Sequence, residues 1–156
     1  MEVTGAWTAE ETRAFLSSDA GTVPARLACH TTADELWMLS LWYTFCDGCL
    51  LCATAASADV VRFLRHDPRV AFEVSVDRPP YRGVRGRGEA TVLPDEDKQL
   101  LRELLERYLG GTDSALADRL LAADREEVRI RIEPTTLSTW DYTDRMADAA
   151  DDVSLE

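Results

Sequence analysis

Hydrophobic and polar positions alternate with a period of two through most of the chain, and the period lengthens where helices are expected. Thr8-Ala9-Glu10-Glu11 has the form of a capping box and predicts a short helix through Phe15 and Leu16. Ser17 to Thr22 reads as a loop, Val23 to Thr31 as a first strand and Thr32 to Glu35 as a turn. Leu36 to Phe45 predicts one long strand with two apolar faces. Trp37, Leu39, Leu41, Tyr43 and Phe45 share one face, and Leu36, Met38, Ser40, Trp42 and Thr44 the other. A strand wet on one side alternates cleanly. This one is therefore expected to have a barrel interior on one side and a second covered surface on the other. Asp47-Gly48 is a two-residue hairpin signal, leading into a strand from Cys49 to Thr54.

Ser57 is expected to cap a helix running to about His66, where Asp67-Pro68 stops it. Arg69–Asp77 and Arg82–Leu93 predict two strands joined through the rigid Pro79-Pro80. The second places Val84, Gly86, Gly88, Ala90 and Val92 on one face, small residues suited to a crowded barrel wall. Asp95 is expected to start a helix with a stripe of Leu100, Leu101, Leu104, Leu105 and Tyr108, ended by Gly110-Gly111. A second short helix fits Ser114 to Ala123. Val128, Ile130 and Ile132 alternate with arginines in a further strand, with Ser138 to Tyr142 continuing the pairing. From Asp144 the chain is Ala/Asp-rich with little to bury. Residues 144–156 therefore read as an acidic flexible tail behind a single domain of residues 1–143. Antiparallel strands with interspersed helices make an α+β barrel.

Composition narrows the function. At 156 residues and 46% hydrophobic, the chain has one domain's length and enough apolar mass for a core. No apolar run is long enough to cross a bilayer, and no basic-then-apolar leader opens the chain, so no membrane partner and a cytoplasmic location are expected. The 29 acidic and 17 basic residues give a net charge of -12, which argues against nucleic acid as a partner. Lys98 is the only lysine, Gln99 the only uncharged amide side chain, and Asp outnumbers Glu 16 to 13. Such a surface repels itself at low salt and is tolerable where ions screen it, so it reads as adaptation to a salt-rich (halophilic) cytoplasm.

The candidate chemistry is sparse. Cys46, Cys49 and Cys52 form C-x-x-C-x-x-C, but strand alternation points Cys49 and Cys52 to opposite faces, so no metal site is expected. Free thiols are the primary reading and a reversible Cys46–Cys49 bridge the secondary one. Arg78 to Gly88 holds four arginines and no acid. It reads either as an anion site for phosphate or carboxylate, or as a solvated face paired with acids such as Glu73 and Glu89. Thr54 to Ser57 precedes a helix N-terminus, a second candidate anion contact or a plain cap. Trp42 and Tyr43 are candidates to stack on a flat ligand or to pack in the core. His66 reads as a helix-end residue. Serine-nucleophile elbows, phosphate-binding Walker loops and paired-carboxylate motifs are absent from the sequence.

An ordered series of landmarks resembles the pyridoxamine 5'-phosphate oxidase-like superfamily of flavin-binding split β-barrels. The series is Leu41-Trp42-Tyr43, Asp47-Gly48, Ala53-Thr54, Arg62-Phe63-Leu64, Asp67-Pro68-Arg69-Val70-Ala71, Pro80-Tyr81-Arg82-Gly83-Val84-Arg85 with Gly88, and Trp140-Asp141-Tyr142. The resemblance covers roughly Val23 to Tyr142. It implies an antiparallel split β-barrel with flanking helices, homodimeric, holding FMN, or the related deazaflavin coenzyme, in a groove between subunits. It also implies that Ser40, Leu41 and Trp42 lie along the flavin ring, that Thr54 and Ser57 approach its phosphate, and that Ala53 and Arg62 belong to the cofactor-binding set. Arg82 and Arg85 match the family's Arg-x-Val-Arg strand, which reaches the cofactor from the partner subunit in some members, and Trp140 is implied to lie near the groove. The chain departs from the family where Arg and Lys usually follow the threonine: it reads Ala55-Ala56-Ser57-Ala58-Asp59-Val60, and Arg62 is the first cation. The implied function is a flavin-dependent oxidoreductase with an unassigned small-molecule substrate. The alternative is a non-catalytic protein on the same fold that binds a flavin, haem or another flat anion.

Overall fold

The computed structural model describes residues 2–18 and 23–148. Its strands are β1 (Glu2–Gly5), β2 (Ala25–His30), β3 (Leu36–Leu41), β4 (Tyr43–Cys46), β5 (Cys49–Ala55), β6 (Arg69–Ser75), β7 (Arg82–Pro94) and β8 (Glu127–Asp141). The helices are α1 (Ala9–Ser17), α2 (Asp59–His66), α3 (Gln99–Leu109) and α4 (Ala115–Leu120). The strands form one curled sheet in the order β3-β2-β6-β7-β8-β5-β4. All neighbours on that path are antiparallel, and β1 adds a parallel pairing to β8. The class is α+β and the architecture fits a split barrel.

The long strand expected over Leu36–Phe45 is two strands broken at Trp42. The reason is pairing: β3 pairs with β2, whereas β4 pairs with β5, and these lie at opposite ends of the sheet order. Trp42 is the point where the chain passes from one half of the barrel to the other. The strand β1 was not visible as a pattern, because its four residues are held mainly by pairing with Thr136–Thr139, with only Val3 packing on the core. The two expected pieces after Val128 are one 15-residue strand. Pro134 lies inside it without breaking it. The β7–β8 register shifts between Arg87 and Gly88, leaving Thr135 as the extra residue, so the missing proline N–H falls at a bulge.

Two helix starts differ from expectation. Ser57 does not cap α2. Ala58 does, with no side-chain bond, because Ala58 N–H is turned back onto the Ala55 carbonyl and Ser57 is left exposed in the turn. Asp95 does not begin α3 directly. A 3-10 turn over Glu96–Lys98, with Asp97 and Lys98 at φ 53°, delays α3 to Gln99. The buried Asp95 carboxylate still serves the helix, accepting from the Leu100 and Leu101 N–H groups at 3.1 and 3.0 Å. The capping box at Thr8 and Glu11 forms as expected. The expected tail begins with a 3-10 turn at Asp144–Met146, and the rest of it falls outside the described residues after 148.

The core fills the curl of the sheet with Leu27, Leu50, Cys52, Val74, Val84, Ile130, Ile132 and Leu137, closed by Leu16 of α1 and by Val60, Val61, Phe63 and Leu64 of α2. Tyr43 donates its hydroxyl to the Leu16 carbonyl at 3.0 Å. A second cluster of Leu101, Leu105 and Ala117 packs on the outside of the β4–β5 hairpin against Trp42 and Ala53. Thus the second covered surface expected for the aromatic strand is partly supplied by α3 and α4 of the same chain. Around β3 it is not: Leu36 and Met38 are 83% and 66% exposed. Cys49 and Cys52 lie on opposite faces of β5, Cys52 in the barrel core, and all four cysteines are free thiols.

Candidate functional site

Registers across the sheet put one row of side chains on its outer face. Reading from β3 to β1, Ser40 stands opposite Arg26, Arg26 opposite Glu73, Glu73 opposite Arg85, Arg85 opposite Ser138, and Ser138 opposite Thr4. The next row runs from Met38 through Ala28, Ala71, Arg87 and Thr136 to Glu2. Apart from Ser40, which stands at the edge of the face, these two rows line a groove of about 580 Å³. Its floor is apolar at Ala28, Met38 and Ala71, and it carries three arginines against two glutamates, Glu2 and Glu73. A net positive groove on a molecule of charge -12 is a local inversion of the surface field.

The three arginines differ in what engages them. Arg26 bonds the Asp77 carboxylate at 2.9 Å. Arg85 lies over the Trp140 ring, 4.4 Å from its centroid. The Arg87 guanidinium has no hydrogen bond or ion pair among the described residues. Arg85 and Arg87 share a face because they are two apart on one strand. Two cations without acid partners, above an apolar floor, can hold a flat ligand that bears an anionic group. Glu73, which could have neutralised Arg85 from the opposite strand, accepts from Ser75 Oγ at 2.9 Å.

A larger hollow of about 780 Å³ lies near the start of α3. There Arg65, Lys98, Arg102 and Arg125 meet Asp95, Asp97, Glu126 and Glu127, so its charges cancel. The outer-face groove is the better candidate.

The family model described as pyridoxamine 5'-phosphate oxidase matches residues 8–140. The chain belongs to this family. Among solved structures it is similar to the conserved hypothetical protein Rv2991 from Mycobacterium tuberculosis, at 24% identity over 88% of this chain and 86% of that one, with a TM-score of 0.70. It is similar to an F420 reductase at 22% identity over 84% and 98% of the two chains, TM-score 0.69. It is also similar to a FAD-binding protein from Mesorhizobium loti at 21% identity over 84% and 92%, TM-score 0.59. At these identities the likeness shows the shared fold. No curated protein matches the chain.

Within this member of the pyridoxamine 5'-phosphate oxidase family, the residues singled out from sequence fall into two groups. Ser40, Arg85 and Trp140 share the outer face that carries the groove. The others do not join them within one chain. Leu41 faces the core opposite Ala25. Trp42 is stacked on Tyr108 at 5.1 Å with its ring nearly parallel, and Ala53 packs under α3 and α4. Thr54 pairs with Val128, at the opposite end of β8 from Ser138. Ser57 is exposed, and Arg62 is spent on Asp59 at 3.1 Å.

Arg82 is a correction to the reading that paired it with Arg85. The two are three apart on β7 and so point to opposite faces. Arg82 stands opposite Asp141 at the strand end, on the Trp7 side. Burial pushes the Asp141 carboxyl up, but hydrogen bonds from Thr143 and Trp7 and the Arg82 charge outweigh it and hold the group below its usual range. His66 is likewise more than a helix end, since its Nε2 meets the Asp34 carboxylate at 3.1 Å.

Sequence reading missed Arg26 and Met38 as groove residues and included Arg87 only within the Arg78–Gly88 window. Arg87 had a signal, namely its spacing of two from Arg85. Arg26 and Met38 had none, because they reach the groove only through the cross-strand registers.

Proposed function

We propose that this protein binds a flavin-type cofactor, FMN or a deazaflavin, in the outer-face groove, and that the groove is completed in a homodimer. The observation that carries this reading is the unpaired Arg87 guanidinium beside Arg85 over an apolar floor, in a chain of this family. The usual cations after the threonine are replaced here by alanines, and Arg62 is neutralised by Asp59. Arg85 and Arg87 supply the missing charge. Ser40 and Arg85 are three strand spacings apart, at most about 14 Å, a span suited to a tricyclic ring at one end and its phosphate at the other. The exposed Leu36 and Met38 adjoin the groove and give a second copy an apolar surface to cover.

A bound flavin supplies the electron or hydride transfer. The chain's own residues bind, orient and shield it. Arg85 and Arg87 hold the anionic end, Ser40 offers a hydroxyl near the ring, and Thr54 and Ser57 of the partner are second contacts to the phosphate. The solved relatives named for F420 and FAD support a flavin-type ligand. Oxidoreductase activity follows from this reading if a small substrate reaches the bound ring.

The test is a titration of FMN and of a deazaflavin at high salt, following fluorescence, together with light scattering. Saturable binding by a dimer supports the reading. A monomer at micromolar concentration, or no binding of either ligand, overturns it. Binding without turnover of any reduced cofactor assigns the non-catalytic role.

A further inference from the structure

The β4–β5 hairpin ends in a pair of thiols that the groove does not use. Cys46 and Cys49 stand directly opposite each other in the antiparallel register. Between them Asp47 and Gly48 turn the chain with φ of 51° and 78°, both positive as a type I′ turn requires. Residues flanking such a turn form a hydrogen-bonded pair with Cα atoms about 5.5 Å apart. A disulfide spans roughly 4.4–6.8 Å between Cα atoms and roughly 3.5–4.5 Å between Cβ atoms, so the Cα spacing fits and the Cβ atoms of this hydrogen-bonded pair must draw together by about 1 Å to close the bond. Directly opposed residues also project to the same face. Here that face is the one turned toward α3, since Tyr43, Phe45, Leu50 and Cys52 occupy the other, in the barrel core.

The four cysteines are not equally accessible. Cys46 is exposed, whereas Cys29, Cys49 and Cys52 are buried. A reagent arriving from solution meets Cys46, and the thiol beside it is Cys49. Arg131, opposite Leu51 on β8, lies close enough to Cys49 to interact with a charge on its sulfur.

We propose that Cys46 and Cys49 form a redox site for thiol–disulfide exchange with small disulfides of the glutathione type, Cys46 attacking and Cys49 resolving. The Cys46 thiol first loses its proton to solvent. Its thiolate attacks one sulfur of the small disulfide RSSR, forming a Cys46–S–S–R bond and releasing RS⁻, which takes up a proton. Cys49 then gives up its proton to solvent, and its thiolate attacks the Cys46 sulfur, forming the Cys46–Cys49 bond and releasing the second RS⁻, which also takes up a proton. Two cysteine thiols are oxidised by two electrons, and RSSR is reduced to two RSH. The negative charge of the neighbouring Asp47 pushes the Cys46 thiol up from its ordinary range. Exchange should therefore be slow at neutral pH and quicken as pH rises.

The test is to incubate the full chain with oxidised glutathione across neutral to alkaline pH, block residual thiols with an alkylating agent and read intact mass. The wild type is expected to lose two hydrogen atoms and to carry no glutathione. Cys49→Ser and Cys49→Ala should each stop at one glutathione on Cys46, and Cys46→Ser should not react. A stable glutathione adduct on the wild type, no reaction at Cys46 at any pH, or equal reaction in Cys46→Ser would overturn the proposal. None of these readouts depends on whether a flavin binds.

Discussion

The Arg85 guanidinium lies over the indole of Trp140, its central carbon 4.4 Å from the ring centroid. Trp140 stands opposite Gly83 on β8, a diagonal neighbour of Arg85, so a flat aromatic surface holds the arginine over the groove without neutralising it. An exposed contact of this kind contributes about 0.5–1 kcal/mol. Trp140→Leu should therefore weaken FMN binding about two- to fivefold while leaving the charge in place. Trp140→Phe should lose less. An isothermal titration of the three proteins checks this, and unchanged affinity in Trp140→Leu would show that the ring does not position Arg85.

The bulge at Arg87 and Gly88 sets the spacing of the groove arginines relative to β8. A Cβ on Gly88 would stand 2.3 Å from the Glu133 carbonyl oxygen, a backbone atom that cannot swing aside. Gly88→Ala should cost about 1–3 kcal/mol and lower the melting temperature by about 2–10 °C. Calorimetry reads the shift, and a melting temperature equal to wild type would mean that β8 yields freely here.

Acid should destabilise the fold partly through Asp67. Its carboxylate accepts from the Arg69 side chain, at 2.7 Å to Nη2, and from the Arg69 N–H at 3.0 Å. These bonds, with the Arg69 and His30 charges, hold it well below the usual carboxylate range against the opposing effect of burial. A group whose folded value is depressed contributes stability above its unfolded value, about 3.9 for Asp, and loses it as pH falls through the folded value. The melting temperature should therefore fall as pH drops below about 4, and Asp67→Asn should show a shallower acid limb. Superimposable acid limbs would remove Asp67 from the account.

Salt should stabilise the protein. At a net charge of -12 the acidic surface repels itself when ions are dilute. The melting temperature should rise as KCl goes from tens of millimolar toward molar. A flat or falling curve would contradict the salt-adapted reading.

What was legible in the sequence was what local chemistry dictates. The Thr8 box, the Asp47-Gly48 turn, the Leu stripe of α3 and the alternation of β6 and β7 all follow from short-range pattern and formed as read. The break at Trp42 was hidden because a strand that changes partners keeps its alternation on either side. The strand β1 was hidden because it is held mainly by pairing with β8, with only Val3 packing on the core. The groove was half legible: Arg85 and Trp140 stood out as types, but Arg26 and Met38 arrive through registers that no local pattern encodes. Arg82 was grouped with Arg85 through the family resemblance, and strand geometry puts the two, three apart, on opposite faces of β7.

The most direct measurement is the FMN affinity of the wild type, Arg85→Ala, Arg87→Ala and Arg82→Ala at high salt, by flavin fluorescence. Removing one charge-assisted contact costs about 1.5–3 kcal/mol. Arg85→Ala and Arg87→Ala should each bind roughly ten- to a hundredfold more weakly than the wild type. Arg82→Ala, on the other face of β7, should bind as the wild type does. Wild-type protein that binds no FMN, or losses confined to Arg82→Ala, would contradict the outer-face groove as the cofactor site.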